Sequence, residues 1–475
     1  MQYSVVNYKT VKEDPIFRLD ADFYRVDYLN YLQQVYKHEE YFLKKILHPT
    51  EIIRVYEERG IQILLAQNVR NNELDFSNVV FMSESAKENL KRNKLQYDDV
   101  ILTRSGANFG QSASYKVDDE IYACADVLVI KNSKEIKGGY LSTFLNTKQG
   151  RALLDRGSYG MAQPHIAPSY LYNLPISRFD TNFENKIDTL VNESGKYKSN
   201  SSCLYSQAEQ LLLSELELLD WKPKHELAFV KNFSDTKQSD RFDAEYFQPK
   251  YEEIISAVKK YKGGFDILEN LSKLVGHPSN PPYETENTEN KTFIITQKHL
   301  ASYFPVDNFW KDEEALFTTD EFIEKNKKFI LQENDLILYS VGAYIGKTNL
   351  YNADIKATIG SFLTLIRPKI DKINPFYLLV FLNSKIGQEL TRRNSRGLAQ
   401  QYIYPYDTKQ VIIPILEINK QKEIEKIISG GQKSHNLSKS LLEIAKRGVE
   451  MAIEKDEQEG EKWIKNNLKE LEKKI

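Results

Sequence analysis

A chain of 475 residues with 41% hydrophobic side chains is long enough for two to four domains with ordinary cores. Its 65 Lys and Arg stand against 67 Asp and Glu, a formal net charge of −2, so no global basic field announces a polyanionic partner; phosphate binding needs only a local basic face. The 2 cysteines, Cys124 and Cys203, exclude a disulfide framework. The expectation is a soluble, cytoplasmic chain with no leader and no apolar run near the ~18 residues of a membrane helix.

In chain order, the first predicted element is an amphipathic helix from Ala21 to about Lys37. Branched and aromatic runs at 61–65, 100–103 and 127–130 read as strands, and 139–154 as a helix. A loop bearing Gly160 and Gln163 ends this module. Residues 183–219 then turn dense in Glu, Lys and Leu, as a long helix requires, and Trp221-Lys-Pro223 closes it. The series then restarts. Pro249 opens a helix to Lys262 that Gly263-Gly264 stops, strands follow at 292–296, 336–339 and 362–366, and a helix spans 375–392. A second helix-rich stretch covers 416–474. Gly195 and the Gly430-Gly431 pair are expected to interrupt the two long helices.

The restart is a duplication. Arg18-Leu-Asp20-Ala21-Asp22-Phe23-Tyr24 returns as Arg241-Phe-Asp243-Ala244-Glu245-Tyr246-Phe247. Asp99-Val-Ile-Leu-Thr-Arg-Ser-Gly106 returns as Asp335-Leu-Ile-Leu-Tyr-Ser-Val-Gly342, and Gly160-Met-Ala162-Gln163 as Gly397-Leu-Ala399-Gln400. Leu174-Pro175-Ile176 is answered by Ile413-Pro414-Ile415. A repeat of about half the chain means two similar globular units, not a solenoid.

The repeat also tests motifs. Asn280-Pro281-Pro282-Tyr283 spells the tetrapeptide with which amino-methyltransferases hold the amino group of a flipped adenine. It normally needs a glycine-rich cofactor turn upstream, which is missing, and the first copy has no counterpart after His48-Pro49. A proline-rich loop is the better reading. Gly342-Ala-Tyr-Ile-Gly346-Lys347-Thr348 has three residues between its glycines where a phosphate-binding loop needs four, and Gln111 replaces the lysine in the first copy. It reads as a strand-to-strand turn whose glycines take φ > 0. His38, His48, His165, His225, His277, His299 and His435 show no metal-ligand spacing.

Together the two copies resemble the specificity subunit of type I restriction–modification systems. The repeated Arg-x-Asp-Ala openings, the Asp99 and Asp335 stretches, the Gly160 and Gly397 loops and Gln421-Lys-Glu-Ile424 carry the resemblance. It implies an α+β fold: two tandem target-recognition domains, mixed sheets with helices, separated and followed by long spacer helices that pack as an antiparallel coiled-coil-like pair. The corresponding boundaries are 1–179, 180–222, 223–415 and 416–475. Each domain would read one half of an asymmetric bipartite site in double-stranded DNA. The helices would set the spacing and dock two methyltransferase subunits, with restriction subunits in the full complex. The chain itself would catalyse nothing and bind no metal or cofactor; S-adenosylmethionine, ATP and Mg²⁺ belong to partner subunits. The rivals are a methyltransferase using Asn280 to Tyr283 and a non-DNA protein scaffold.

Base-edge readout needs Arg, Lys, Asn, Gln or small polar groups, and phosphates need cations. The candidates in the first module are Arg104, Ser105, Asn108 and Gln111, with Arg156, Tyr159, Gln163 and His165. In the second they are Ser340, Tyr344 and Lys347, with Arg392, Arg393, Arg396, Gln400, Gln401 and Tyr402. Gln163 and Gln400 recur, so they suit a loop or phosphate role. Arg18 with Asp20, and Arg241 with Asp243, look structural.

Overall fold

The computed structural model describes residues 4–473 apart from 52, 77, 107, 161–162, 285–290, 307–309, 311–314 and 398–399. Ala107, Ala162 and Ala399 of the repeated phrases, and Lys474, thus lie outside the described residues. The chain folds as two compact units, residues 1–201 with 433–475, and residues 202–432.

The central sheet of the first unit is antiparallel, in the order Ile46–Leu47, Val127–Ile130, Val100–Thr103, Ser112–Ser114. Its two middle strands coincide with predicted runs. They are apolar nearly throughout because both faces are covered and side chains alternate between them. Val100, Leu102, Leu128 and Ile130 pack with helix residues Tyr140, Phe144 and Leu153; Ile101, Val127 and Val129 pack with Ile61, Ile63 and Tyr122 of a second sheet. That sheet runs Ile121–Ala123, Ile61–Leu64, Val80–Met82, Tyr56–Glu57, its first pair parallel.

The second unit repeats the plan. Its central sheet runs Ser272–Gly276, Leu363–Pro368, Leu336–Tyr339, Thr348–Leu350, and the companion sheet runs Phe317–Thr318, Thr292–Ile295, Ala357–Ile359. Leu336 and Leu338 again face helices while Ile337 and Tyr339 face the companion sheet.

Several helix boundaries differ from expectation for local reasons. The predicted helices at 139–154 and 375–392 are each two, Gly138–Asn146 with Lys148–Arg156, and Pro375–Asn383 with Lys385–Arg393. Thr147 and Ser384 break them by adopting extended backbone, and their hydroxyls accept from the N–H of Gly150 (3.0 Å) and Gly387 (3.2 Å). A Cβ on either glycine would collide with the carbonyl of Phe144 or Phe381. The helix expected from Ala21 is a 3-10 turn, Ala21–Tyr24, followed by Val26–Val35, with extended Arg25 between them. The helix at Pro249 ends at Lys260, two residues early.

The long helices, Thr181–Glu215 and Ile418–Glu454, run straight through Gly195 and Gly430-Gly431. The expected interruptions are therefore absent. In the second unit Gly431 gives room to the ring of Tyr205, whose Cε1 would lie 2.8 Å from an added Cβ. The helices pair antiparallel inside each unit. In the first, Ser194 Oγ meets Ser438 Oγ at 2.9 Å and Asn200 Nδ2 donates to Ser434 Oγ at 2.8 Å. In the second, Lys420 pairs with Glu215 at 3.2 Å. The C-terminal stretch breaks where Asp456 caps a further helix, Glu457–Glu472, which packs back on the long one: an added Cβ at Gly460 would lie 2.8 Å from the Gly448 carbonyl oxygen.

Candidate nucleic-acid interface

Each unit builds one surface from two loops. In the first unit, the hairpin between Val100–Thr103 and Ser112–Ser114 carries Arg104, Ser105, Asn108 and Gln111, and turns on Gly106 (φ +86°) and Gly110 (φ +72°). Thr103 Oγ1 braces it, donating to the Asn108 carbonyl and accepting from the Gln111 N–H at 2.9 Å. The second loop, carrying Tyr159, Gln163 and His165, lies alongside. The Ile166 N–H donates to the Arg104 carbonyl at 3.2 Å, and bridges join His165 to Ser105 and to Tyr159.

The second unit repeats the backbone bonds of this pair of loops, with Tyr339 in the place of Thr103. Gly342 (φ +96°) and Gly346 (φ +86°) turn a hairpin between antiparallel strands, the arrangement expected of that sequence in preference to a phosphate-binding loop. The Ile403 N–H donates to the Ser340 carbonyl at 2.8 Å, and bridges join Tyr402 to Val341 and to Arg396. Gly160 and Gly397 both sit at φ +94°.

The repeated Arg-x-Asp phrase holds these loops in place. Arg18 Nε and Arg241 Nε each pair with the aspartate two residues on, Asp20 and Asp243, at 2.6 Å. Each guanidinium then donates to a carbonyl at the loop's start, Ser158 (2.6 Å) or Ser395 (2.8 Å), two residues before the left-handed glycine. Burial would raise the Asp20 and Asp243 carboxyls, but the arginines outweigh it and hold both below their ordinary value. The phrase is a brace for the loop.

Not every candidate reaches the surface. Arg156 is buried, stacked 3.5 Å above the Phe23 ring with its Nε donating to the Phe23 carbonyl at 3.0 Å. Ser340 is buried, with its hydroxyl on Thr364 Oγ1 at 2.6 Å. Both are engaged internally and leave the candidate surface. The others stay on it. Tyr159, Gln163, Tyr344, Arg392, Gln400 and Gln401 are exposed; Arg104, Ser105, Asn108, Gln111, His165, Lys347, Arg393, Arg396 and Tyr402 are half-buried. Arg393 lies 4.2 Å over the Tyr246 ring, Arg392 pairs with Glu389 at 3.4 Å, and Arg396 with Asp407 at 3.1 Å. Arg104 Nη1 is 3.4 Å from His48 Nε2. Arg104 Nε, Gln111 Oε1 and His165 Nδ1 are buried atoms without a hydrogen-bond partner among the described residues.

Two surface residues are additional to the candidates. Tyr404 and Tyr406 are 42% and 53% exposed, with rings stacked 5.4 Å apart at 15°. The alternation Tyr402-Ile-Tyr404-Pro-Tyr406 is the sequence signal that could have found them: extended backbone puts Tyr402 and Tyr404 on one face, and the helix that Pro405 opens brings Tyr406 beside Tyr404.

The Asn280 tetrapeptide lies in a loop, separated by three residues from the strand Ser272–Gly276. Its amide oxygen accepts from Ser361 Oγ at 3.2 Å and Tyr283 is exposed. Among the described residues, no three His, Cys, Asp or Glu side chains are grouped to hold a metal ion, and no helix is long and apolar enough to cross a membrane.

Residues 278–444 match the family described as the type I restriction modification DNA specificity domain. The chain is similar to the type I restriction enzyme EcoBI specificity subunit of Escherichia coli, 27% identical over 137 residues, which is 26% of this chain and 29% of that protein. Among solved structures it is similar to the S subunit of the type I restriction-modification system from M. genitalium, at 11% identity and a TM-score of 0.38 over 88% of this chain and 95% of that one. It is also similar to the HsdS subunit from Thermoanaerobacter tengcongensis, at 14% identity and a TM-score of 0.26 over 87% and 97%. The likeness to the type I restriction modification DNA specificity domain thus rests on residues 278–444.

Proposed function

We propose that the chain is the non-catalytic, DNA-reading specificity subunit of a type I restriction–modification complex. Each unit reads one half of an asymmetric bipartite site through its paired loops. One observation supports this most: the two-loop scaffold is built twice with different side chains at its surface. Asn108, Gln111, Tyr159 and His165 stand in one unit where Tyr344, Lys347, Arg396 and Tyr402 stand in the other. A constant frame with unequal readers suits two unequal half-sites. Arg104, Ser105, Gln163, Arg392, Arg393, Gln400 and Gln401 complete the contact set. The partnerless atoms of Arg104, Gln111 and His165 are groups that a ligand's donors and acceptors would satisfy.

The long helices set the gap and dock two methyltransferase subunits, with restriction subunits joining the full complex. A helix of 35 residues is about 52 Å long, enough to span half-sites one DNA turn apart, ~34–36 Å. S-adenosylmethionine, ATP and Mg²⁺ serve the partner subunits, and the complex works in the cytoplasm.

The decisive experiment maps methylated bases in cells with and without this gene beside its methyltransferase. Loss of one bipartite motif is the expected outcome; an unchanged map refutes the reading. Methylation should survive Asn280→Ala, whereas its loss would favour a catalytic tetrapeptide. Affinity for duplex DNA should fall steeply with salt, as counterion release demands, and a flat response would favour a protein scaffold.

A further inference from the structure

The second unit carries a surface that the first lacks. Tyr402, Tyr404 and Tyr406 occupy the places of His165, Ala167 and Ser169 on the same brace, since the Ile166 and Ile403 N–H groups bond equivalent carbonyls and Pro168 and Pro405 both open short helices. The tyrosine rings form one continuous row. Tyr402 meets Tyr404 edge-on at 4.8 Å and 69°, and Tyr404 stacks on Tyr406. Arg396 supports the far end, 5.4 Å from the Tyr406 ring and fixed by two hydrogen bonds to Asp407. Next to the row, across the Tyr402–Val341 bridge, the hairpin presents Tyr344, 64% exposed with Lys347 over its ring at 5.6 Å.

Granted the DNA-reading role proposed above, we infer that the second unit recognises its half-site by packing Tyr404 and Tyr406 against thymine methyl groups. An intact duplex hides its base faces in the stack and offers only edges. In the major groove the one apolar group on those edges is the thymine C5-methyl. What the row presents is ring surface, Tyr404 and Tyr406 lying nearly parallel at 15°. Rings already stacked on one another lose little freedom on binding, which favours selective contact over loose adhesion. Ala167 and Ser169 give the first unit no such apolar row, so this chemistry belongs to one half-site.

The test uses the full complex and its methylation motif. Duplexes carrying deoxyuridine for thymine in the second half-site lose only the methyl. Binding should weaken about fourfold for each methyl that the row covers. Tyr404→Ala with Tyr406→Ala should lower affinity and erase the difference between thymine and uracil, leaving the first half of the motif intact. Tyr404→Phe with Tyr406→Phe should preserve the difference and reports on the row even if the alanine pair fails to fold. A second half-site without thymine, or full affinity with uracil throughout it, overturns the inference. Absence of any bipartite motif would instead sink the underlying DNA-reading role.

Discussion

Glu450 completes a helix far from it in sequence: its Oε1 accepts from the backbone N–H of Lys148 at 3.0 Å. The equivalent bond in the second unit joins the Lys385 N–H to Glu209 at 2.8 Å. The two carboxylates sit on different long helices, Glu450 on Ile418–Glu454 and Glu209 on Thr181–Glu215. Each unit therefore draws one helical stave from the stretch after its own module and one from the stretch after the other. Glu450→Ala should cost the first unit about 1 kcal/mol and Glu209→Ala the second unit the same. Denaturant melts followed by segment-resolved hydrogen–deuterium exchange would show it, and a loss in the opposite unit would contradict the pairing.

Truncation after residue 432 makes the same point more forcefully. It removes Leu441, Ile444, Val449, Ala452, Ile453 and Ile464 from the first unit's core. At about 1.5–3 kcal/mol for each large side chain, the loss rivals the whole stability of a domain. The amino-terminal module should unfold although none of its own sequence is touched. Retained amide protection at residues 100–103 would refute this.

Glu73 ties the first module to both of its staves, pairing with Lys198 at 2.7 Å and Lys439 at 2.8 Å. Burial alone would raise its carboxyl, but the two lysines prevail and hold the pKa at about 2, against 4.5 for an ordinary Glu. A carboxyl depressed on folding stabilises fully above its unfolded value. That contribution is lost as pH falls from 4.5 towards 2. Glu73→Gln should cost about 1–3 kcal/mol at pH 7 and flatten the acid side of the stability profile, as urea titrations across that range would record.

At Gly160 an added Cβ would lie 2.6 Å from the Gln163 carbonyl oxygen, and φ of +94° is strained for any L side chain. Gly160→Ala should cost about 1–3 kcal/mol locally, speed amide exchange across residues 158–166, and weaken binding at the first half-site alone. Equal weakening at both half-sites would argue against independent readers.

Gln163 and Gln400 recur in the two units whereas Asn108 and Tyr344 differ at equivalent places. Gln163→Ala and Gln400→Ala should each reduce affinity severalfold without altering the methylation motif. Asn108→Ala should relax the first half of the motif and spare the second, at about 1–3 kcal/mol of discrimination per lost base contact. Motif mapping of the variant complexes separates these outcomes.

Legibility in the sequence followed the range of the interactions. The strands at 100–103 and 336–339 were readable because burial on both faces leaves an unbroken apolar run. The paired loops were legible because their glycines and the bracing arginines recur. Breaks at Thr147 and Ser384 were not, since a single cap hydrogen bond decides against an otherwise continuous helical pattern. Arg156 looked available because nothing local reveals that Phe23 and its carbonyl receive the guanidinium. The uninterrupted course through Gly195 and Gly431 was equally hidden: helix propensity counts a glycine as a loss, whereas packing against Tyr205 makes one useful. The crossed ownership of the staves lies further from view, because repeat order alone suggests that each module keeps the helix that follows it.

That crossing bears on how such a chain can be rearranged. A recombinant that exchanges one module by cutting at its sequence ends would assemble a single core from two parents. The joints that respect the molecule lie inside the long helices, near residues 201 and 432. A graft of the amino-terminal module is coherent only when the last 43 residues, 433–475, travel with it or already match.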